Sequence, residues 1–153
     1  MKRAMRLALF QPDQAGNVGA ILRTCACFGV PVDVILPCGF AWSDRGLKRA
    51  GMDYAERATV TAHADWAAFI AQAPGRLVLL TTKGGVRFDE AQFRPGDILL
   101  MGSESAGVPD PVHARADLRV RIPQAAGTRS LNIAVAAGIA LAESLRQTNG
   151  WPK

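Results

Sequence analysis

The chain has 153 residues, which is enough for one domain with a buried core and too few for two domains of ordinary size. Its composition of 49% apolar and 20% charged residues excludes disordered and fibrous proteins, and no apolar run approaches the roughly 20 residues that span a bilayer. The net charge of +5 is compatible with an RNA or DNA partner, although many solvated surfaces are equally basic. We therefore expect a single domain over 1–153, located in the cytoplasm and without a membrane segment.

The first half of the chain alternates short apolar runs with helical patterns. The first run, RLALF, is too short for a secretion signal and lacks a small-residue cleavage site, so it predicts a buried strand. Apolar side chains at helical spacing mark the helices of this half. The predicted elements are strands over 6–10, 32–36 and 56–61, and helices over 17–28, 43–50 and 64–72.

The second half continues the same alternation, with apolar runs typical of strands that are buried on both faces. Prolines suit the first turn of a helix after residue 108, and Ser130 is the predicted N-cap of the last helix. The predicted elements are strands over 76–82, 97–101 and 118–122, and helices over 109–116 and 130–147. This order predicts an α/β fold with a mostly parallel sheet and helices on both faces.

Three late strands run into loops that are rich in glycine and small polar residues: KGG, GSESAGVPD and QAAGTRS. Because ligands bind beyond the carboxyl ends of parallel strands, these loops predict a nucleotide-like pocket. The alternative is three ordinary turns, in which the same residue types are common. No loop matches the P-loop or the dinucleotide fingerprint, which argues against a Rossmann-type dehydrogenase.

Arg23 is a permanent cation on the predicted helix 17–28. Helical spacing places it opposite the predicted core stripe, which consists of Val18, Ile21, Leu22, Cys25 and Phe28. The residues that share its face are small, namely Gly19, Ala20, Ala26 and Cys27. Two interpretations stay open: a solvated surface arginine, or a fork of donors that contacts a phosphate group.

Cysteine and histidine give no catalytic or metal pattern. The cysteines Cys25, Cys27 and Cys38 are odd in number, which argues against a disulfide framework, and we expect them to be small buried hydrophobes. Cys25 and Cys27 lie about 200° apart around a helix, so they cannot share a metal ion. His63 and His113 have no acidic or nucleophilic partner nearby in sequence, so a Ser-His-Asp arrangement is not predicted.

Three segments together resemble the motifs of SPOUT-class RNA ribose 2′-O-methyltransferases: NVGAILR (17–23), LLMGSESAGVP (99–109) and RIPQAAGTRSLNIAVAAGIAL (121–141). The segments 39–54 and 79–84 resemble more narrowly the small TrmL type, which methylates the ribose of the wobble cytidine or uridine of tRNA. The resemblance runs almost end to end, with no appended RNA-binding domain. It implies a SPOUT fold with a C-terminal trefoil knot, S-adenosyl-L-methionine as cofactor, tRNA as substrate, a homodimer and no metal.

The resemblance also implies roles for individual residues. The implied catalytic residues are Arg23, Asn17, Ser130 and Asn132. The implied cofactor-binding residues are Leu80, Met101, Gly102, Glu104, Ile122, Ser130 and Leu131. The implied RNA contacts are Arg129 and the basic cluster Arg45, Lys48 and Arg49. We assign Arg23 to positioning and charge stabilisation, because the proton of arginine is too hard to remove for a general base.

The chain departs from the family pattern at Ala106, Ala134 and Ala142, where RNA contacts are expected to differ. Two alternatives therefore stay open beside wobble methylation. One is 2′-O-methylation of another tRNA or rRNA nucleotide, and the other is a non-catalytic RNA-binding domain of the same fold.

Overall fold

The computed structural model describes residues 4–43, 45 and 59–153, and within these residues seven strands form one sheet. The strand order is β3-β2-β1-β6-β4-β7-β5, and every neighbouring pair is parallel. The strands are β1 (Arg6–Phe10), β2 (Val32–Ile35), β3 (Val60–His63), β4 (Leu77–Leu80), β5 (Val86–Arg87), β6 (Ile98–Met101) and β7 (Leu118–Arg121). The helices are α1 (Ala15–Phe28), α2 (Trp66–Gln72), α3 (Asp110–Arg115) and α4 (Ile133–Thr148).

Helices cover both faces of the sheet, as predicted. Alternate residues of the central strand β6 point to opposite faces, so that Leu99 joins the core beneath α1 and α4 while Leu100 joins the core beneath α2 and α3. All four residues of β6 are buried, because the strand is covered on both sides. The predicted α/β class with a parallel sheet is confirmed, whereas the trefoil knot stays a prediction.

Helix α1 buries the predicted stripe. Val18, Ile21, Leu22 and Cys25 are buried, and Phe28 packs edge-on against Trp151 with ring centroids 4.9 Å apart. The helix begins at Ala15, two residues earlier than predicted, without a side-chain cap to mark its start. It ends at Phe28 and is capped by Gly29, whose φ of 67° lies in the left-handed region that glycine adopts without strain.

Other elements also differ from the prediction. The predicted N-cap Ser130 is wrong: helix α4 begins at Ile133, and Asn132 is its N-cap. The strand predicted over 56–61 begins at Val60, with 56–58 outside the described residues. Strand β5 has only two residues and no apolar run, so sequence periodicity could not reveal it. The helix predicted near 43–50 falls almost wholly outside the described residues.

His63 has an acidic partner that sequence proximity did not reveal. Its Nε2 lies 3.0 Å from Oδ1 of Asp33, and the same carboxylate accepts hydrogen bonds from Nε and Nη2 of Arg6 at 2.9 Å. Asp33 and His63 are buried, at 4% and 7% exposure. The parallel pairing of β1, β2 and β3 brings these residues together, and the cluster ties the three strands side by side.

The cysteines are free thiols in different environments. Burial raises the pKa of Cys25 to about 12, whereas Cys27 is exposed and contradicts the expectation of a buried hydrophobe. Across the described ranges, no three His, Cys, Asp or Glu side chains are grouped so that they could hold a metal ion. None of the helices described here is long and apolar enough to cross a membrane.

Candidate active site

A cavity of about 930 Å³ lies at the carboxyl ends of the adjacent strands β6, β4 and β7. Its walls include parts of all three glycine-rich loops, together with the first turns of α1 and α4. The residues of the predicted catalytic and cofactor sets that line it are Asn17, Leu80, Met101, Gly102, Glu104, Ile122, Ser130, Leu131 and Asn132. The parallel topology therefore brings distant segments to one edge of the sheet.

The loop after β6 doubles back tightly and forms one wall. The amide of Ser103 donates to the carbonyl of Gly107 at 3.0 Å, and the amide of Gly107 donates back at 2.9 Å. A Cβ atom added to Gly102 would lie 2.7 Å from the carbonyl carbon of Gly107. Only glycine at residue 102 permits this approach, which projects Glu104 toward the start of α1.

A hydrogen-bond network joins one residue from each of the three sequence motifs. The side-chain amide of Asn132 donates to Oδ1 of Asn17 at 3.1 Å. The side-chain amide of Asn17 in turn donates to Oε1 of Glu104 at 3.3 Å. The first turn of α1, the loop after β6 and the N-cap of α4 are thereby held together beside the cavity.

Asp13 extends this network, and sequence reasoning had treated it only as part of a loop. Its amide donates to Oε2 of Glu104 at 3.1 Å, and the amide of Glu104 donates to Oδ1 of Asp13 at 3.2 Å. Ser105 donates its hydroxyl to the other carboxylate oxygen of Asp13. The 91-residue separation hid this pair, since nothing in either segment alone marks the contact.

The two carboxyl groups of this pair titrate differently. Hydrogen bonds with Glu104 and then with Ser105 lower the pKa of Asp13 to about 2. Burial raises the pKa of Glu104, and its hydrogen bond with Asp13 raises it further. Asp13 therefore holds the negative charge of the pair most strongly, and Glu104 is protonated first as the pH falls.

Arg23 lies outside the cavity wall. It is exposed on the outer face of α1, together with Ala20 and Cys27. It lies six positions after Asn17, which corresponds to about 9 Å along the helix axis. The structure thus puts both residues on one helix but only Asn17 against the cavity.

The basic residues predicted to contact RNA are only partly described. Arg129 is exposed, and its carbonyl accepts a hydrogen bond of 2.9 Å from the side chain of Gln124. Its neighbours in sequence, Thr128 and Ser130, line the cavity. Arg45 is exposed, whereas Lys48 and Arg49 lie outside the described residues.

The cavity is also lined by two basic residues that sequence reasoning did not select. Lys83 is exposed in the loop after β4, and Arg121 is exposed at the end of β7 with its Nε donating to the carbonyl of Gly85 at 3.3 Å. Lys83 directly follows the strand predicted over 76–82, and Arg121 is the last residue but one of the strand predicted over 118–122. A basic residue at the carboxyl end of a predicted strand was the sequence signal that could have identified both as candidate site residues.

The cavity fits a ligand that combines a nucleoside with a charged tail. Its volume lies within the range of about 300–1,000 Å³ that is typical of small-molecule sites. Leu80, Met101 and Ile122 supply apolar walls, and glutamate, asparagine and lysine side chains supply polar ones. S-adenosyl-L-methionine has both kinds of surface, so the lining suits it.

The fold and this site define an α/β protein that binds a nucleotide-like ligand across the ends of parallel strands. The particular family is clear: the chain belongs to the SpoU rRNA Methylase family, which matches residues 4–142. The protein is therefore a methyltransferase.

Proteins similar to this chain act on RNA. A tRNA (cytidine(34)-2'-O)-methyltransferase from Beijerinckia indica is 51% identical over 96% of this chain and 94% of its own length. One solved structure, which concerns the 2-OH methylation of C/U34 on tRNA, is 41% identical with a TM-score of 0.88, covering 95% of this chain and 96% of that one. An AdoMet-bound rRNA methyltransferase from Sinorhizobium meliloti is 29% identical with a TM-score of 0.83, covering 95% of this chain and 57% of that one.

Proposed function

We propose that this protein methylates the ribose 2′-hydroxyl of the wobble nucleotide, cytidine or uridine 34, in tRNA, with S-adenosyl-L-methionine as methyl donor. The observation that carries the proposal is the network of Asn17, Glu104 and Asn132, which unites all three sequence motifs at one cavity. The full-length likeness to proteins that act on nucleotide 34 supports the choice of substrate. Residues 1–153 act as one domain, in the cytoplasm, where tRNA is available.

When bound, S-adenosyl-L-methionine would supply an electrophilic methyl group on a sulfonium centre: the ribose 2′-oxygen gains the methyl group, S-adenosylhomocysteine is the leaving group, and the hydroxyl proton is released to water. The side chains of Leu80, Met101, Ile122 and Leu131 hold the donor and exclude water. Asn17 and Asn132 fix the geometry at the α1 and α4 end of the cavity through neutral hydrogen bonds. Ser130 adds a further hydroxyl to that end. Correct orientation of two reactants is worth several kcal/mol of the barrier, at roughly 7–11 kcal/mol in the best cases.

Arg23 acts on the RNA side of the reaction. Its guanidinium binds the phosphate next to the reacting ribose, and from the outer face of α1 it stabilises charge that develops on the 2′-oxygen at the cavity of a second copy of the chain. It keeps its proton throughout, since arginine does not deprotonate in proteins. Arg129 and the basic cluster Arg45, Lys48 and Arg49 contribute to tRNA affinity, and their contribution weakens with salt because phosphate contacts release counterions.

The protein acts as a homodimer. Helix α4 exposes Val135 and Ile139, at 51% and 37%, and Leu131 just before it is 38% exposed. Large apolar side chains clustered on one surface favour association with another protein surface. A second copy placed there would cover the helix that carries Asn132 and so would border the mouth of the cavity.

Substitution of Arg23 tests the catalytic part of the proposal. Arg23→Ala is expected to lower the rate of methyl transfer at least about a hundredfold while leaving the fold and the cofactor affinity intact, because charge stabilisation is lost. Arg23→Lys keeps the charge but loses the fork of donors, and we expect an intermediate rate. Transfer of a radiolabelled methyl group to unmodified tRNA measures both. A wild-type rate in Arg23→Ala would contradict the assignment.

Mapping of the product tests the substrate. Mass spectrometry of tRNA from cells with and without this protein is expected to show a 2′-O-methyl group at nucleotide 34 that depends on the protein. A protein-dependent methyl group on another tRNA or rRNA nucleotide would keep the chemistry and overturn the substrate. Binding of RNA without any methylation would overturn the enzymatic function itself.

A further inference from the structure

His113 carries a buried ring nitrogen that is left without a hydrogen-bond partner among the described residues. The atom is Nε2, and the residue lies on α3 and lines the cavity. Buried polar atoms in proteins are nearly always paired, so an unpaired one calls for an explanation. The mechanism proposed above does not use this residue.

The other ring nitrogen fixes the tautomer of a neutral His113. Nε of Arg119, a donor only, lies 3.3 Å from Nδ1 of His113, and it also donates to the carbonyl of His113 at 2.9 Å. Nδ1 must therefore act as an acceptor, which leaves the ring proton on Nε2. The buried Nε2–H is thus a donor that lacks an acceptor among the described residues, on a side chain that lines the cavity.

His113 lies at the opposite end of the cavity from the catalytic asparagines. Ile133 and Ala136, which line the cavity near Asn132, pack on the core beneath α1 and α4. Leu79 and Val108, which line it with His113, belong to the core beneath α2 and α3. The cavity therefore passes from one face of the sheet to the other across the strand ends.

The position of His113 in the cavity indicates which part of the methyl donor it contacts. The reacting methyl group must face the end with Asn17 and Asn132, so the α3 end receives a part that does not react. Leu79 and Val108 are apolar and offer nothing to neutralise the charges of a methionine tail. A heteroaromatic base has apolar faces and ring-nitrogen acceptors at its edge, which matches an apolar wall with one N–H donor.

We propose that His113 is a positioning residue for the methyl donor, and that its Nε2–H donates a hydrogen bond to a ring nitrogen of the adenine base. The inference rests on the proposed function, because it takes S-adenosyl-L-methionine as the ligand of the cavity. Arg119 orients the ring for this contact. Since Arg119 also holds two backbone carbonyls, of His113 and Ala114, its place survives a change of the histidine side chain.

Calorimetry with S-adenosylhomocysteine tests the contact without turnover. His113→Phe keeps a flat ring and removes the donor, and we expect its dissociation constant to rise about three- to tenfold, the effect of one neutral hydrogen bond. His113→Gln retains an N–H donor and should lose less affinity for this ligand than His113→Phe. Arg115→Ala, on the same helix but outside the cavity, is the matched control and should bind as wild type. Wild-type affinity in His113→Phe would overturn the inference.

Base analogues identify the acceptor. The 1-, 3- and 7-deaza forms of S-adenosylhomocysteine each lack one ring nitrogen. We expect one of them to bind wild type more weakly than the parent ligand, and to bind His113→Phe no more weakly than the parent does. If all three analogues bind more weakly than the parent ligand by the same factor in wild type and in His113→Phe, the proposed contact with the base is wrong. If wild type binds none of these ligands, the proposed function fails as well, so the two failures are distinguishable.

Nitrogen-15 spectra of the imidazole rings give an independent readout. The chain has two histidines, and His113→Phe assigns their signals. We expect His113 to be protonated at Nε2 in the free protein, and its Nε2 signal to shift when S-adenosylhomocysteine binds while the signals of His63 stay unchanged. A His113 ring that is protonated at Nδ1, or whose Nε2 signal is insensitive to the ligand, would contradict the proposal.

Discussion

Asn132 performs two tasks at once. Its Oδ1 accepts hydrogen bonds from the amides of Ala134 and Val135 at 2.8 and 3.3 Å, which caps α4, while its Nδ2 donates to Asn17. The cap stabilises a helix end, and the amide donation holds one motif residue against another. The two tasks use different atoms, so substitutions can separate them.

Asn132→Ala removes both tasks, and we expect the free energy of unfolding to fall by about 1 kcal/mol from loss of the cap, together with a large loss of methyl transfer. Asn132→Asp keeps an oxygen that caps α4 but removes the donor to Asn17. It should therefore retain stability and still lose activity. Urea denaturation and the methyl-transfer assay measure the two effects. Loss of stability without loss of activity in Asn132→Ala would show that the contact with Asn17 is only structural.

Asp13 gives the site a specific sensitivity to acid. Its pKa is lowered from 3.8 to about 2, so the stability it contributes is complete above about pH 4 and is lost as the pH falls through 2. The pKa of Glu104 is raised above its ordinary 4.5, so ionisation of Glu104 lowers the free energy of unfolding only as the pH rises above that value. We therefore expect Asp13→Asn to lose less free energy of unfolding than wild type between about pH 4 and 2. Urea denaturation measures the free energy of unfolding of both proteins. An equal decrease in wild type and Asp13→Asn over this pH range would contradict the assignment.

At the scale of elements, the loop between β1 and α1 is held in place by a glycine from the loop after β2. The amide of Gly39 donates to the carbonyl of Pro12 at 3.0 Å. A Cβ atom added to Gly39 would lie 2.8 Å from both Cα and Cβ of Asp13. This close approach sets the position of Asp13 against Glu104, and through it the start of α1.

Gly39→Ala should therefore displace the loop that carries Asp13. We expect a decrease of about 1–3 kcal/mol in the free energy of unfolding, as for overpacked sites, and weaker binding of S-adenosylhomocysteine. Gly16→Ala is the matched control, because a Cβ atom there meets nothing within 4 Å and the residue lies in α1. It should leave binding unchanged and add up to about 1 kcal/mol of stability. A neutral effect of Gly39→Ala would show that the loop adjusts freely.

At the scale of the whole molecule, the outer surface of α1 and α4 is the main feature that the monomer leaves unexplained. The two helices pack side by side on one face of the sheet. On their outer side, α1 exposes small residues around Arg23 and α4 exposes Val135 and Ile139. The proposed homodimer would bury this surface and hold both sets of proposed catalytic residues near the contact.

Val135→Arg is expected to shift the protein from dimer to monomer, because a charge would enter an apolar contact, while the exposed position should leave the fold intact. Ala71→Arg is the control, since Ala71 is exposed on α2 at the other face of the sheet. Sedimentation equilibrium measures the association, and circular dichroism checks the fold. A wild-type protein that is monomeric at micromolar concentration would refute the dimer, as would a dimer unaffected by Val135→Arg.

Much of the fold could be predicted because strands and the apolar stripes of helices leave a local signal. The run ILLM of β6 and the stripe of Val18, Ile21 and Leu22 on α1 are examples. Helix ends were less certain, since Ser130 and Asn132 are both good cap residues and only the packed chain selects between them. Strand β5 left no signal at all, because two residues at an edge carry no period.

The sequence by itself determined the α/β class, the parallel sheet and the loops that meet at the strand ends, because periodicity and turn composition are local properties. The motif residues Asn17, Glu104 and Asn132 were also identified from sequence. Only the tertiary structure decided which side chains meet: it pairs Asp13 with Glu104, and Asp33 with His63 and Arg6. It also leaves Nε2 of His113 without a partner among the described residues. The hydrogen bonds among them join residues that lie far apart along the chain, and the packing of the strands and of the loops that follow them brings these residues together.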